Sequence, residues 1–441
     1  MNSRRLAIIH AATSCAVVLA SRGSAQCQQW HPMPGMSNGV ATGVLALTRW
    51  DPDGAGPQSP LLIAGGDFTN AGGVNVNNIA AWNGVEWSPL GGGIAGEVDA
   101  LAVLPDGRLV AAGGFTAAGG VACSNIAVWD GAAWSPMGSG TDNGIWALCV
   151  GSDGSLYVGG MFLNAGGVAA NRVARWNSTG WSSLGTGAQN GVAGIVYAIS
   201  PRPGGGVVVG GTFQSAGGVF NRRRVAAWDG TAWQTMGAGM NSNVLSLGTM
   251  ASGDIVAGGQ FTFAGTVPAS HVARWDGTAW QLMGGGLNAQ PLCFTSLETG
   301  ELVAGGHFWF SGITTMNKVA IWSGESWAPL GTGMDQYVMA LAAGDNGDIF
   351  AGGGFTLASD LPAQFIARWQ ASCGPVCDTI DFNADGLFPD TADIDDFLSV
   401  FSGGQCSTGA CGDIDFNNDG LFPDTTDIDS LLSVFSGGAC L

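Results

Sequence analysis

Leu109-Val-Ala-Ala-Gly113-Gly114-Phe115, followed by Ile126-Ala127-Val128-Trp129-Asp130-Gly131-Ala132-Ala133-Trp134, is one copy of a pattern that recurs along the chain. The Phe just after a Gly-Gly pair returns at Phe68, Phe115, Phe162, Phe213, Phe261, Phe308 and Phe355, in steps of 47, 47, 51, 48, 47 and 47 residues. A first Trp returns at Trp82, Trp129, Trp176, Trp228, Trp275, Trp322 and Trp369, each with Ala two residues before it and Ile or Val three before. A second Trp follows five residues later at Trp87, Trp134, Trp181, Trp233, Trp280 and Trp327. Self-similarity at a period of this size marks a repeat architecture, in which each unit buries its faces only against its neighbours.

Each copy divides into four short strands. Strand a is an Ala-Leu run such as residues 98–103, and strand b ends in the Gly pair. Strand c is the Ile-Ala-x-Trp segment, and strand d carries the second Trp. Asp130-Gly131, Asp229-Gly230 and Asp276-Gly277 provide tight turns between c and d. Four strands per repeat, seven times, predict an all-β fold: a seven-bladed β-propeller of four-stranded blades. The seventh copy has Trp369 but no second Trp, whereas Trp30-His31-Pro32-Met33 near the N-terminus resembles Trp87-Ser88-Pro89-Leu90. The N-terminal strand is therefore expected to complete the last blade. Cys27 and Cys373 flank that junction, and a disulfide between them would lock it; pairing of Cys373 further along the chain is the alternative.

A strand b ending in Gly-Gly, an aromatic strand c and a Trp in strand d resemble the kelch repeat, here over residues 26 to 371, with an Ala-Gly-Gly after the Phe that looks like a bacterial variant. The resemblance implies the architecture and leaves the activity open, since propellers host many. Composition narrows the field. The chain has 441 residues, 75 of them Gly, a single lysine (Lys318) and a net charge of −19. Such acidity argues against nucleic-acid binding, which needs Lys and Arg for phosphates. Arg4-Arg5, an apolar run from Leu6 to Ala20 and the small residues Gly23-Ser24-Ala25 read as a secretory signal peptide over residues 1–25, cleaved near Ala25. No later stretch is long enough to span a bilayer. Losing Arg4, Arg5 and Arg22 takes the charge to −22, and export to the cell surface or beyond permits disulfides.

After Trp369 the composition changes: residues 372–441 hold 13 Asp and no Lys or Arg. Two segments 34 residues apart are nearly identical, Asp381-Phe-Asn383-Ala-Asp385-Gly386-Leu387-Phe-Pro-Asp390-Thr-Ala-Asp393 and Asp415-Phe-Asn417-Asn-Asp419-Gly420-Leu421-Phe-Pro-Asp424-Thr-Thr-Asp427. Oxygens at positions 1, 3 and 5, a Gly at 6 and a backbone carbonyl at 7 suit a hard cation such as Ca2+. The closing acid falls at position 13 rather than 12, so the Pro-Asp step bulges the loop or Asp390 and Asp424 substitute. An apolar helix is expected after each loop, at residues 394–401 and 428–435. Paired loop-helix units of this kind, ending in Asp and flanked by Gly and Cys, resemble a type I dockerin. The resemblance implies two Ca2+ ions and docking on a cohesin-like or other surface protein. Cys377 and Cys406 are 29 residues apart, as are Cys411 and Cys440. Pairing within each unit is one of three connectivities. Cys123, Cys149 and Cys293 read as buried small hydrophobes.

Catalytic residues are not apparent. The three histidines beyond the leader, His31, His271 and His307, have no distinctive context, and most acids sit in turns. Asp67, Glu97, Asp99, Asp142, Asp335 and Asp360 do not; several of them are expected in the d–a and b–c loops, which share one face, and they are read as solvated loop acids rather than catalytic ones. Arg222-Arg223-Arg224 lies in the b–c loop of the fourth repeat, beside an extended d–a loop around residues 189–194, and is a candidate contact site. The expectation is an exported binding or display protein whose propeller offers a protein- or glycan-recognition face. The alternative is a polysaccharide-degrading enzyme carried by the C-terminal unit.

Overall fold

In a computed structural model of the chain, the described residues are 28–37, 43–371 apart from 55 and 57, 391–401, and the single residues 428 and 431. Among them seven antiparallel sheets have a four-stranded a-b-c-d order, one of them with a short fifth strand, and the remaining strands form five small two- or three-stranded sheets. In sheet 2, for example, strands a to d are Ile94–Val103, Leu109–Ala118, Ile126–Trp129 and Trp134–Pro136. The other a strands are Gly43–Trp50, Ile145–Val150, Val196–Pro201, Val244–Thr249, Pro291–Ser296 and Val338–Ala343. Each a strand neighbours those of the sheets before and after it, and the last meets the first, closing a circle. This is a β-propeller.

The last sheet takes its fourth strand from the N-terminus. Gln29–Pro32 pairs with Ile366–Gln370, Trp30 opposite Trp369, which is the place the sequence assigns to it. The wholly buried Trp30 donates its indole N–H to the Leu330 carbonyl at 3.0 Å. The same bond joins four more sheets to the one before them: Trp134 to Leu90, Trp181 to Met137, Trp233 to Leu184 and Trp280 to Met236, at 2.9–3.0 Å. Trp87 donates to Pro34 O at 2.9 Å, and the Trp327 N–H has no partner among the described residues. The second Trp is thus a clamp between sheets as well as buried aromatic area. Its ring lies 5.1–5.6 Å from that of the strand-c Trp in its own sheet.

The Gly pair has two separate causes. A Cβ on the first Gly would meet strand a of the next sheet: 2.5 Å from Val98 for Gly65, from Val244 for Gly210 and from Val44 for Gly352. A Cβ on the second would strike a carbonyl at the start of its own strand a, such as Gly43 O for Gly66 or Tyr337 O for Gly353; in sheet 2 it is the first Gly, Gly113, that meets Glu97 O in this way. The Ala-Gly-Gly loop is a small hairpin. Asn164–Ala165 pairs with Val168–Ala169 across Gly166 and Gly167, whose φ values are +58° and +80°. Two successive positive φ angles are what a type I′ turn requires and what Gly supplies.

Because the sheets are antiparallel, a–b and c–d turns lie at one end of each sheet and b–c and d–a loops at the other. The propeller therefore has two chemically distinct faces. Both of its described ends leave from the a–b/c–d face, where Gln28 N–H donates to Gln370 O at 2.7 Å and Ala371 N–H to Asp348 at 3.0 Å. Beyond them, the helix Thr391–Phe401 follows the first Asp-rich loop, starting three residues before its expected position, with Phe397 buried against Phe401. Among the described residues no helix is long and apolar enough to cross a membrane.

Candidate functional site

A β-bulge of strand a lies opposite the Gly pair in every sheet, between its two residues in six and between Ala112 and Gly113 in sheet 2. In all seven sheets the a/b register skips one residue of strand a: Leu45, Asp99, Trp146, Tyr197, Leu245, Leu292 and Met339. Bulges re-aim side chains. All seven are partly exposed, although the strand-a residues on either side of six of them are buried. Since strand a is the innermost of each sheet, these residues face the axis of the circle. Two consecutive members meet there: the Trp146 and Tyr197 rings are stacked with centroids 5.0 Å apart and planes 5° from parallel.

Next to that aromatic pair, on sheets 1 and 2, are three acids. Burial, and then the neighbouring Glu97 charge, pushes Asp99 up to about 7. Burial and Asp67 push Glu97 upward as well. Neither Glu97 nor Asp99 is the solvated loop acid expected from the sequence: both stand on strand Ile94–Val103, and the bulge turns Asp99 inward. Further round, Arg224 donates to Asn243 Oδ1 at 2.6 Å, and Asn243 donates to Gln260 Oε1 at 3.0 Å. The His307 and Tyr337 rings lie 5.0 Å apart, and burial, with Lys318, lowers the His307 pKa. The axis thus combines an aromatic pair, weakly acidic carboxyls and hydrogen-bonding amides, a set suited to a polar ligand with flat apolar faces.

Asp142 and Asp335 have a structural task that the sequence reading missed. Asp142 accepts the Leu163 and Asn164 amides at 2.8 and 3.0 Å; Asp335 accepts those of Thr356 and Leu357 at 2.8 and 2.9 Å. Asn241 and Asn288 hold residues 262–263 and 309–310 in the same way. The signal was an Asp or Asn directly after Thr141, Met240, Leu287 or Met334. These side chains tie the d–a loops to the b–c hairpins of the following sheet.

The hairpins so held are apolar outside. Of 15 exposed large hydrophobic side chains among the described residues, 12 stand in b–c connections. They include Phe220, Phe263, Phe310, Leu361 and the fully exposed Ile313. The arginine run lies among them and is only partly free. Arg222 donates to its own loop at Ala216 O, 3.0 Å away, and Arg224 takes a left-handed φ of +66° and reaches Asn243. Arg223 alone is exposed. The extended loop forms the short 3-10 turn Gly187–Gln189, whose Ala188 carbonyl lies against Gly218 of that hairpin. The sole lysine, Lys318, is buried: its ammonium lies 3.5 Å over the Trp309 ring and donates to His307 O at 3.0 Å. Burial brings its pKa down to about 8, against the pull of Asp335.

The opposite face is polar and internally paired. All five ion pairs among the described residues are there, including Arg274 with Asp254 at 2.6 Å and Arg49 with Asp345 across the junction of sheets 7 and 1. Asp130, Asp229 and Asp276 each accept two turn amides at 2.8–2.9 Å, so these acids are accounted for by turns, as expected.

The first calcium-loop ligands Asp381, Asn383, Asp385, Leu387 and Asp390 lie outside the described residues, as do Asp415, Asn417, Asp419, Leu421, Asp424 and Asp427 of the second. Asp393 falls in the first turn of the helix, its side chain undescribed. Cys27, Cys373, Cys377, Cys406, Cys411 and Cys440 also lie outside. Cys123, Cys149 and Cys293 are free thiols. Burial pushes all three upward in pKa, which makes poor nucleophiles. The described residues hold no group of three or more His, Cys, Asp or Glu placed to bind a metal.

The closed circle of sheets places the chain among the β-propellers. A family described as a domain of unknown function (DUF5122) beta-propeller matches residues 104–127 and 151–180, in sheets 2 and 3. No curated protein matches the chain. Among solved structures it is similar to an extracellular domain from B. thetaiotaomicron assigned to the hybrid two component system BT4673, at 12% identity and a TM-score of 0.47. It is also similar to one assigned to the one component system BT4673, at 10% and 0.48. In both cases 82% of this chain aligns with 42% of the other, so the chain spans less than half their length.

Proposed function

We propose that the chain is an exported, non-catalytic, kelch-like seven-bladed propeller whose b–c/d–a face recognises a protein or a glycan. The dockerin-like unit, residues 372–441, would hold it on a cell surface or in an extracellular assembly by binding two Ca2+ ions. One observation carries the recognition reading: 12 of 15 exposed large hydrophobic side chains crowd onto one face, where water contact is unfavourable without a partner. The chain leaves the propeller from the other face, so an anchor attached there would leave this one outward. In the C-terminal unit Asp381, Asn383, Asp385 and the Leu387 carbonyl, with Asp390 or Asp393, would surround one ion, and their counterparts from Asp415 to Asp427 the other.

The test is to pass the full mature chain over a polysaccharide panel while assaying retention and new sugar ends together. Retention without release supports recognition of glycan; neither signal directs the search to protein. Release of sugar ends that Asp99→Asn or Glu97→Gln abolishes would establish the second reading, a polysaccharide-degrading enzyme. The observation favouring that reading is Asp99, protonated near neutrality beside Glu97. Calcium titration calorimetry of the chelator-treated chain should show two sites, both removed by combining Asp381→Ala with Asp415→Ala. N-terminal sequencing of the secreted product would test cleavage near Ala25.

A further inference from the structure

The exposed apolar side chains are unevenly distributed around the face. Sheets 1 and 2 contribute one valine each, Val74 and Val121, and sheet 3 contributes Met161 and Leu163. Every exposed Phe or Trp among the described residues, and the face's most exposed side chains, Phe220 and Ile313, stand instead on the hairpins of sheets 4 to 7, with Phe263, Phe310 and Leu361. Phe220 and Ile313 are 75% and 100% exposed, so nothing within the propeller covers them. Phe220, Phe263 and Phe310 offer flat faces, but Ile313, the most exposed of the group, and Leu361 are branched aliphatics with none for stacking on a sugar ring. A protein surface, which can interdigitate with them, is the better complement. The two ends of this arc differ in charge. At sheet 4 stands exposed Arg223, in a chain with a net charge of −19. At sheet 7 stands exposed Asp360, held at a left-handed φ of +63°. Asp335 nearby is already occupied by the Thr356 and Leu357 amides. The hairpins between these ends are fixed by Asn241, Asn288 and Asp335, so the surface is largely preformed and little ordering entropy opposes docking.

We propose that the b–c hairpins of sheets 4 to 7 form a docking surface for a protein segment with an apolar strip, an acidic residue at its sheet-4 end and a basic residue at its sheet-7 end. This rests on the recognition reading and selects protein over glycan for this part of the face. The apolar hairpins supply affinity, and Arg223 and Asp360 set the direction in which the segment lies.

The experiment pans a displayed library of 12-residue peptides on the full mature chain and measures the enriched peptides by titration. The variants are Phe310→Ser with Ile313→Ser, Arg223→Glu, Asp360→Lys, and Val85→Ser as a control at an exposed valine of a c–d turn. All alter exposed side chains, and an unchanged melting temperature verifies their folding. The expected result is apolar peptides with opposite charges at their two ends. The double serine variant should weaken them on the order of tenfold or more, and each charge reversal severalfold with rescue by the reversed peptide charge. Val85→Ser should leave them unchanged. Enriched peptides that bind the double variant as well as the parent chain would overturn the proposal. So would a dimer in sedimentation that the double variant dissolves, since the occupant would then be a second copy. Enriched peptides without end charges would overturn the orientation. Polysaccharide retention lost in Trp146→Ala but kept in the double variant, with no peptide enriched, would sink this proposal while sparing the recognition reading. No binding of either kind would sink both.

Discussion

The two faces of the propeller are made from the same seven repeats and differ in how their polar groups are used. On the a–b/c–d face, many acids accept turn amides or pair with arginines. On the b–c/d–a face, some polar groups do structural work at the hairpin bases while apolar side chains stand at the tips, and the bulged residues of strand a face the axis. One face completes the fold; the other exceeds what the fold needs. The difference arises from register: a bulge at the b–c end of every strand a breaks the ladder there, whereas the other end continues into tight turns.

The change expected to have the largest effect removes the frame that both faces share. Trp30→Ala deletes a wholly buried ring, its bond to Leu330 and its contact with Trp369. Truncation of a buried Trp costs about 3–5 kcal/mol. Because Trp30 sits on the strand that completes sheet 7, both faces should loosen together, seen as a lower denaturation midpoint and as protease cleavage near residues 366–371. Trp134→Ala, within a sheet built from contiguous chain, should destabilise similarly without exposing that segment. Equal cleavage there in both variants would show that the N-terminal strand has no special part in closure.

The next effect divides the faces by pH. Asp99 has a folded-state pKa near 7 against an ordinary 3.8, so the folded chain holds a proton that the unfolded chain has released. The resulting penalty is absent below about pH 4, grows as pH rises and is complete above 7. Asp99→Asn should therefore stabilise the chain by about 2 kcal/mol at pH 8, a value reduced from the full shift because the site is partly exposed, and do nothing at pH 4. Asp229, on the opposite face, has the reverse sign. The amides of Ala232 and Thr231, with the Thr231 hydroxyl, depress its pKa, so its contribution is present above about pH 4 and fades as pH falls. Melting curves from pH 3 to 9 check both signs; a pH-independent Asp99→Asn difference would mean that the carboxyl is not held protonated.

Much of this was legible in the chain itself. The seven Phe and Trp markers lead to the sheets, and Trp30 to the junction, because large rings at a fixed period are recorded directly in the sequence. The axial ring was not legible. Its members share a position but no chemistry (Leu45, Asp99, Trp146, Tyr197), and the bulge that unites them is signalled only by a Gly whose role is to avoid a carbonyl. The arginine run reads as a three-residue contact site, but only Arg223 stands exposed. Arg224 instead occupies the left-handed position that Asn78 and Asn125 take in sheets 1 and 2, a correspondence visible only once the repeats are superposed.

A smaller effect probes the hairpin bases. Asn288→Ala removes the acceptor for the Trp309 and Phe310 amides and should cost about 1 kcal/mol. The cost should be local, as faster amide exchange across residues 309–316 with little change on the opposite face. Asp276→Ala also removes an acceptor of two turn amides, but that turn is open to water, which replaces part of the lost bonds. Its cost should therefore be smaller than that of Asn288→Ala and, as for Asp229, fade as pH falls below about 4.

The smallest effect on stability bears most closely on the comparison. Ile313→Ser and Val85→Ser both replace an exposed aliphatic side chain, one 100% and the other 81% exposed, on opposite faces. Neither buries area in the folded propeller, so both should lie within about 0.5 kcal/mol of the parent chain. If apolar exposure on the two faces were equally incidental, the pair would also behave alike toward hydrophobic dyes and in solubility. A cluster binds a dye where an isolated side chain does not, so Ile313→Ser should lower dye fluorescence measurably and Val85→Ser should not. Equal responses would mean that the apolar hairpin tips act as scattered residues, and the contrast between the faces would reduce to turn chemistry alone.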